Sequence, residues 1–477
     1  MDYPLFLVPH IGGGWLIGMV AILHVIISHF AVGGGLLVVV TEQIAARRND
    51  SLWLDFARKQ SVFLVLVSAV LGAITGVGIW FTIGLVHPAA TAALIHTFVW
   101  GWAIEWVFFF IEIAAALLYV GTWNKVSRNL HLTIGWIYFA AAYISLVIIN
   151  GIVSFMLTPG QWLQTRSFWD GIFNPTYWPS LLLRTGITLM MAGVFAWVVA
   201  AWIRDANGRR GLVRYLSGWT LAGVILTSLG FLWWQGNIPA DAKALVFPGG
   251  ALLRSTFLLG AGTLILLAAL VVALGYLLPR GFGIVAAIVA VILAGTVFGS
   301  FERVREGSRK PFVIHGYMYS NGVRVDEVER LNKEGFLTKA KWAGLGVPAG
   351  PLAKGEQVFR GQCQMCHSTN GYLAITKYIE GQDAEGLAAF FEALRGGRPG
   401  MPPIVGTEEE IKALAEYLAS LLSTTPKGAV VPISTMPKTS FSPRLLKKVQ
   451  MQGGTPQMGL FQQPVRPAQG AGLGGAK

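Results

Sequence analysis

Cysteine is nearly absent: the 477-residue chain holds two, Cys363 and Cys366. That excludes a disulfide-stapled scaffold and leaves no thiol for a second metal cluster. Charge is scarce too, with Asp, Glu, Lys and Arg making up 13% of residues. Soluble domains carry about 25%, so most of this chain is not a soluble enzyme. Acidic residues are the scarcer sign, 24 against 37 Lys and Arg, for a net charge of +13. No basic run is interleaved with aromatics in a soluble region, so nucleic acid is not expected as a partner. The N-terminus lacks a basic n-region, and its first fifteen residues contain Pro4, Pro9, His10 and three glycines. No cleavable signal peptide is expected; the segment reads as an interfacial lead into the first span.

Long apolar runs are abundant. They fall near 15–41, 61–85, 93–121, 132–158, 179–203, 212–234, 252–278 and 281–301, each of spanning length. The fold class expected is all-α, a polytopic membrane helix bundle of about eight spans. Basic residues sort the connections. Arg47, Arg48, Arg58 and Lys59, then Lys125 and Arg128, then Arg204, Arg209, Arg210 and Arg214, then Arg280 occupy alternate loops. The positive-inside rule makes that side cytoplasmic and puts both termini outside. The expected location is a bacterial inner membrane with periplasmic termini.

After about residue 302 the apolar runs end. We expect a transmembrane bundle at 1–302, a periplasmic connector at 303–349, a folded domain at 350–425 and an extended Pro-, Gln- and Gly-rich tail at 426–477. The tail has no apolar period and cannot bury enough surface to fold alone.

The folded domain is marked by Cys363-Gln364-Met365-Cys366-His367. The C-x-x-C-H spacing lets two thiols form thioethers to one porphyrin while the next residue ligates iron, as in c-type haem attachment. A half zinc site or a redox C-x-x-C is the competing reading, but zinc needs two further ligands at matching spacing. Downstream, Met401 lies in Gly400-Met401-Pro402-Pro403. A Met on a proline-stiffened loop can supply the sixth ligand, and a Met/His pair raises the potential; a packing Met is the alternative. A helix over Glu408–Leu422, with three acids in its first turn after Thr407, closes the domain. Residues 350–425 resemble a class I cytochrome c domain. One covalent haem c is expected, and its attachment outside the membrane agrees with the charge-derived topology.

Ionisable residues within the spans are functional candidates. His24 and His29 share span 1 but lie five residues, about 140°, apart around the helix, so they cannot face one ligand. One binds iron or serves a proton path; for His29 a hydrogen-bonded structural role is favoured. Glu105 and Glu112 lie two turns apart on one stripe of span 3, about 10 Å along the axis. That arrangement suits a proton relay or a haem-edge site, unless Arg184 or Arg254 pairs with them. The polar run from Glu302 to Phe312, followed by His315, stands at the outer end of span 8. It suits haem propionates and an iron ligand, or else a solvated interfacial loop.

Taken in order, these patterns resemble subunit I of cytochrome bd oxidases. Leu71-Gly72-Ala73-Ile74-Thr75-Gly76 looks like the family's G-x-x-T-G turn. Ala103-Ile104-Glu105 and Phe110-Ile111-Glu112 look like its two acidic motifs. Asn150-Gly151 is similar to an N-G pair, and Glu306-Gly307-Ser308-Arg309-Lys310-Pro311-Phe312 to E-x-G-R-Q-P-W with three departures. The resemblance implies two membrane haems of b or d type near the outer face. It implies His24 and Glu306 as their iron ligands, Arg309 as a cofactor contact, Glu105 and Glu112 as catalytic acids, and Asn150 with both acids on a proton path.

The departures carry as much information. Arg184 occupies the place of the family's low-spin haem histidine, and Thr256 that of its methionine, two residues after Arg254. Arginine stays protonated and does not ligate iron. The quinol-binding loop between spans 6 and 7 shrinks to about fifteen residues. The expected function is therefore a bd-like terminal oxidase subunit. It would take electrons from a periplasmic c-type cytochrome through haem c and reduce oxygen at a membrane haem pair, beside a second membrane subunit. Two alternatives stand. One is a non-catalytic haem b/haem c electron-transfer subunit of a larger respiratory complex, with His29, His96, His131 and His315 as further axial ligands. The other is a quinol:cytochrome c oxidoreductase.

Overall fold

A computed structural model describes residues 5–6, 8–247, 251–340, 343, 350–398 and 400–424. The expected tail at 426–477 and part of the connector lie outside these residues. Among the described residues, eight helical stretches are long and apolar enough to cross a membrane.

The first span is α1 (Gly13–Arg48), which ends on basic Arg47 and Arg48 with Asn49 left-handed at its C-cap. Such an ending satisfies carbonyls that the helix leaves free. Asp50 then caps α2 (Ser51–Leu66), accepting from the amides of Leu52 and Trp53. The second span continues through a π-helical stretch, Val67–Gly72, into α3 (Ala73–Val86). The G-x-x-T-G segment is therefore helical, and the expected turn is a π-to-α transition. α4 (Pro88–Thr97) precedes the third span, α5 (Val99–Gly121), because Phe98 breaks the helix at φ −120°. The fourth span is α6 (Arg128–Phe155), capped by Ser127. Short α7 (Trp162–Thr165) and α8 (Phe168–Ile172) lead to α9 (Tyr177–Ala200) and α10 (Ala206–Asn237), the latter capped by Asp205. After α11 (Ala240–Val246) come α12 (Ala251–Val272), prolonged by a π-helical stretch over Ala273–Leu277, and α13 (Ile284–Ser308).

The spans overrun the expected limits mostly at polar ends. α2 begins ten residues early because Asp50, not the apolar run, sets its start. α13 extends through Ser308 because its charged residues pair with one another inside the bundle.

The hydrophobic core is built around α9, whose Leu183, Ile187, Met190, Val194 and Trp197 are fully enclosed. It packs on α10 at backbone distance. A Cβ at Gly223 or Gly230 would lie 2.3 and 2.4 Å from the nitrogens of Met190 and Leu183. Small residues at such crossings let helices associate where lipid supplies no hydrophobic drive.

Beyond α13 the chain forms a two-stranded antiparallel ribbon, β1 (Phe312–Ile314) with β2 (Met318–Tyr319), then α14 (Val328–Glu334). The C-terminal domain packs α15 (Pro351–Gln362), α16 (Ala384–Ala393) and α17 (Glu408–Thr424) around Val358, Phe359, Leu387, Phe391, Leu414 and Leu418. Thr407 and Glu410 make a reciprocal capping box at the start of α17. Buried Glu410 also accepts the amides of Phe336 and Leu337 at 2.6 and 2.9 Å. That ties connector to domain.

His87 ties connector to bundle. One ring nitrogen meets the carbonyl of Ser320 at 3.0 Å, and the other accepts the Ala90 amide at 3.3 Å, capping α4. Burial holds this imidazole neutral, its pKa lowered from 6.5 to about 4. The neutral form stabilises the joint fully above pH 6.5, and that stability is lost as pH falls towards 4. The span is worth at most about 3 kcal/mol. Amide exchange in the ribbon around Val323, corrected for intrinsic pH dependence, should therefore accelerate between pH 6.5 and 4, and His87→Gln should flatten that dependence. An unchanged profile in the variant would remove His87 as the cause.

Candidate redox centre

Where α15 ends, the backbone turns through Cys363 and Cys366. The amides of Cys366 and His367 both return to the Cys363 carbonyl, at 3.0 and 2.9 Å. One turn thus presents both sulfurs and the imidazole. His367 Nδ1 lies 3.2 Å from the Leu373 carbonyl. This contact fixes the tautomer with Nδ1–H donating and leaves Nε2 as a free ligand. Burial lowers the ring's pKa, favouring the neutral form that binds metal. Met401 sits in a bridge with Arg398 and packs with Cys363 on the domain core. These residues fit a haem that Cys363 and Cys366 would hold by thioethers, with His367 and Met401 as the side chains that would meet its iron.

This turn sits on the first membrane helix. The amides of Gly13 and Gly14, unpaired within α1, donate to the carbonyls of Gln364 and Met365 at 3.5 and 2.9 Å. Gln364 Nε2 donates to the Phe6 carbonyl at 2.8 Å. Thr369 and Tyr372 amides donate to Pro9 and His10 carbonyls at 3.1 and 2.9 Å. The Tyr372 ring stands edge-on to Trp15, and its hydroxyl meets Arg303 of α13 at 3.5 Å.

His24 lies ten residues further along α1, about 15 Å deeper at 1.5 Å per residue. Its Nδ1 is 3.2 Å from Thr75 Oγ1. A Cβ at Gly76 would come within 3.0 Å of the ring. The Gly72–Gly76 segment therefore makes room for the imidazole and orients it, which fits an axial ligand. Glu306 is three residues beyond Arg303 on α13, so it stands at the level of the C-terminal domain rather than of His24. Arg309 holds its carboxylate, and Arg305 lies 3.9 Å away. The buried Arg309 Nε has no partner among the described residues, a donor set that fits a propionate.

His29 is elsewhere. Its Nδ1 bonds the Val25 carbonyl at 2.8 Å, its Nε2 faces Arg184 at 3.3 Å, and its ring packs edge-on to Phe298. Arg184 donates to Glu302 at 2.7 Å, and Arg305 bonds the other oxygen at 3.0 Å. All three side chains are buried. Glu302, Arg305 and Arg309 of the run are thus buried in a helical ionic network with exposed Glu306 at its edge, not the solvated loop that was the blander expectation. Two further expectations change. Arg184 is committed to Glu302 and Arg254 is exposed, so neither pairs with the acids of α5. Three of the four alternative histidines are engaged as well: His29 and His131 through both ring nitrogens, His315 through Asp241 at 2.9 Å. His96 is exposed.

Glu105 accepts from Ser145 of α6 at 2.8 Å; Glu112 lies two turns further in. Among the described residues neither makes an ion pair. Asn150 is buried, its amide donating to the Tyr177 carbonyl at 2.9 Å while its Oδ1 has no described partner. Sequence reasoning missed Glu42, Tyr372 and the lead segment around His10. A carboxylate inside the span 1 helix was the signal available for Glu42; the other two depend on a long-range contact with no local signature.

Comparison with known proteins agrees with this division. Residues 14–241 match the family model "Cytochrome bd terminal oxidase subunit I", and residues 350–418 match "Cytochrome C oxidase, cbb3-type, subunit III". The structure of bd oxidase from Geobacillus thermodenitrificans is similar at 15% identity and a TM-score of 0.57, over 64% of this chain and 88% of that one. At that identity the likeness speaks for the fold. No curated protein matches the chain. Residues 14–241 are thus similar to the bd subunit I family and residues 350–418 to the cbb3-type subunit III family, each over less than half of the chain.

The ionic network yields a stability prediction. Glu302 neutralises two buried arginines, so Glu302→Gln leaves like charges facing each other, whereas Arg184→Met leaves the Glu302–Arg305 pair intact. Breaking a buried pair costs about 3–5 kcal/mol. Thermal unfolding of the solubilised protein should show Glu302→Gln as the more damaging change; the reverse order would contradict the network.

Proposed function

We propose that this chain is the oxygen-reducing subunit of a bd-type respiratory oxidase that draws electrons from a c-type donor at its outer face instead of from quinol. The observation that carries the reading is the seating of the Cys363–His367 turn on the N-terminus of α1, about 15 Å along that helix from His24.

When bound, a haem on Cys363 and Cys366 supplies a one-electron port, and a haem pair of b or d type in the bundle supplies the iron at which oxygen is bound. The residues would do the rest. His367 and Met401 hold the port. His24, steadied by Thr75, and Glu306, steadied by Arg309, are the iron ligands of the pair. Glu105 and Glu112 store and pass protons, with Asn150 beside the path. Arg184, which the resemblance puts at the place of the family's low-spin haem histidine, is committed to Glu302, which argues for two membrane haems rather than three. The seven residues of α11 stand where a quinol loop would be. Alternate basic loops argue for a cytoplasmic side at Arg47–Arg48 and periplasmic termini in a bacterial inner membrane. A second membrane subunit is the expected partner, with a periplasmic c-type cytochrome as donor.

The test is a pyridine haemochrome count with carbon monoxide difference spectra on purified protein. One haem c and two other haems, one of them binding carbon monoxide, are expected. His24→Ala should lose a membrane haem and keep haem c. Non-c haems that all ignore carbon monoxide would make the chain an electron wire, and a third non-c haem would restore the low-spin site.

A further inference from the structure

α5 and α6 run antiparallel and share a polar seam. α5 carries Glu105, Glu112 and Tyr119 at seven-residue intervals; α6 carries His131, Tyr138 and Ser145 at the same intervals. Two rungs close by hydrogen bonds. Ser145 donates to Glu105 at 2.8 Å. At the far end the His131 Nε2 is 2.9 Å from the Tyr119 carbonyl. This register puts Glu112 opposite Tyr138, and the two are within electrostatic reach. Successive rungs are about 10 Å apart.

The last rung encloses Glu42 of α1, which has no exposed surface. Its carboxylate accepts the Tyr119 hydroxyl at 2.5 Å and lies 2.9 Å from His131 Nδ1. His131 thus turns both ring nitrogens to oxygen atoms, Nδ1 to the Glu42 carboxylate and Nε2 to the Tyr119 carbonyl. Its faces are covered by Tyr119 and Trp123, each at 4.3 Å. Arg128 reaches Glu42 at 3.8 Å with 42% of its side chain exposed, linking the cluster to the solvent on the basic side. A plain staple between helices needs one bond. This cluster instead encloses a carboxylate, an imidazole and a phenol at the inner end of a carboxylate-bearing seam.

We propose that Glu42, Tyr119 and His131 form the inner mouth of a proton path that runs along the α5–α6 seam through Glu112 to Glu105. A proton leaves the cluster for Glu112 through intervening water and is replaced from the cytoplasm past Arg128. The protons are consumed in reducing oxygen, so the proposal rests on the oxidase reading above. None of these three residues is assigned as a ligand or as a contact with the reacting oxygen; they act through Glu112.

The test uses the full-length protein in vesicles, comparing wild type with Glu42→Gln, His131→Gln and the conservative Glu42→Asp. Three quantities are read: oxygen uptake driven by ascorbate with a small mediator, carbon monoxide binding, and protons taken from the Arg128 side when the haems are reduced. Glu42→Gln should cut oxygen uptake at least tenfold and slow reduction-linked proton uptake by as much, with the carbon monoxide spectrum unchanged. Glu42→Asp should regain a large part of both. Oxygen uptake within twofold of wild type in Glu42→Gln, with intact spectra, would overturn the proposal while leaving the oxidase reading in place. If the wild type reduces no oxygen, the oxidase reading fails. Proton uptake on haem reduction then decides: its loss in Glu42→Gln supports the path, and its absence in wild type or persistence in the variant overturns it. If Glu42→Gln does not assemble, His131→Gln is read by the same criteria.

Discussion

Two glycine amides at the start of the first membrane helix set the geometry on which the proposed electron route depends. A helix leaves its first amides without partners, and at a membrane surface they must find acceptors. Here Gly13 and Gly14 find them in the carbonyls of the Cys363–His367 turn. Glycine is needed for the approach, since a Cβ at Gly14 would lie 2.9 Å from the Met365 carbonyl oxygen. The C-terminal domain is thereby registered to α1 by backbone contacts, which vary less than side-chain contacts. Its distance from His24 then follows from helical rise, not from the chance of a flexible linker.

The same bundle contains two kinds of ionisable cluster within its spans. On α9 and α13, Arg184, Glu302 and Arg305 neutralise each other with His29 alongside. Such a network is costly to assemble and more costly to break; it acts as a fastener between α9 and α13. On α5 the carboxylates of Glu105 and Glu112 lack cationic partners among the described residues. Charges left unpaired in a membrane helix are expensive and call for a functional reason. The ion network joins α9 to α13, whereas the acids of α5 make no ion pair among the described residues, so the two sets of ionisable groups differ in what holds them.

Much of this was legible beforehand. Eight apolar runs gave the eight spans, because hydrocarbon thickness imposes one length scale, and C-x-x-C-H marked the C-terminal domain, because thioether spacing is local. Helix ends were less legible. α2 starts at an Asp cap and α13 ends in an ion network, and neither is apolar. The segment around Gly72 was expected as a turn because it resembles the family's G-x-x-T-G turn, whereas in a bilayer the backbone keeps its hydrogen bonds and adjusts to a π-helical stretch. Contacts between distant segments, such as His10 with Tyr372 or Glu42 with His131, leave no periodic trace at all.

The partition of packing across the bundle bears on where chemistry can occur. α9 has 67% of its spanning window enclosed, while the span made of α2 and α3 has 6%. Helices held by backbone-to-backbone contact cannot part to admit a porphyrin without losing those contacts, so the α9–α10 side favours rigidity. α3 and α5 present mostly side chains, meeting at an edge-on pair, Trp80 and Trp102, and it is these helices that carry Thr75, Glu105 and Glu112. Side chains can be rearranged around a large planar cofactor at far lower cost than backbones. The proposed proton path and the His24 end of the proposed haem pair thus lie on the half of the bundle whose packing can accommodate them, while Glu306 stands on α13. The proposed port lies above α1, the helix that contacts both halves.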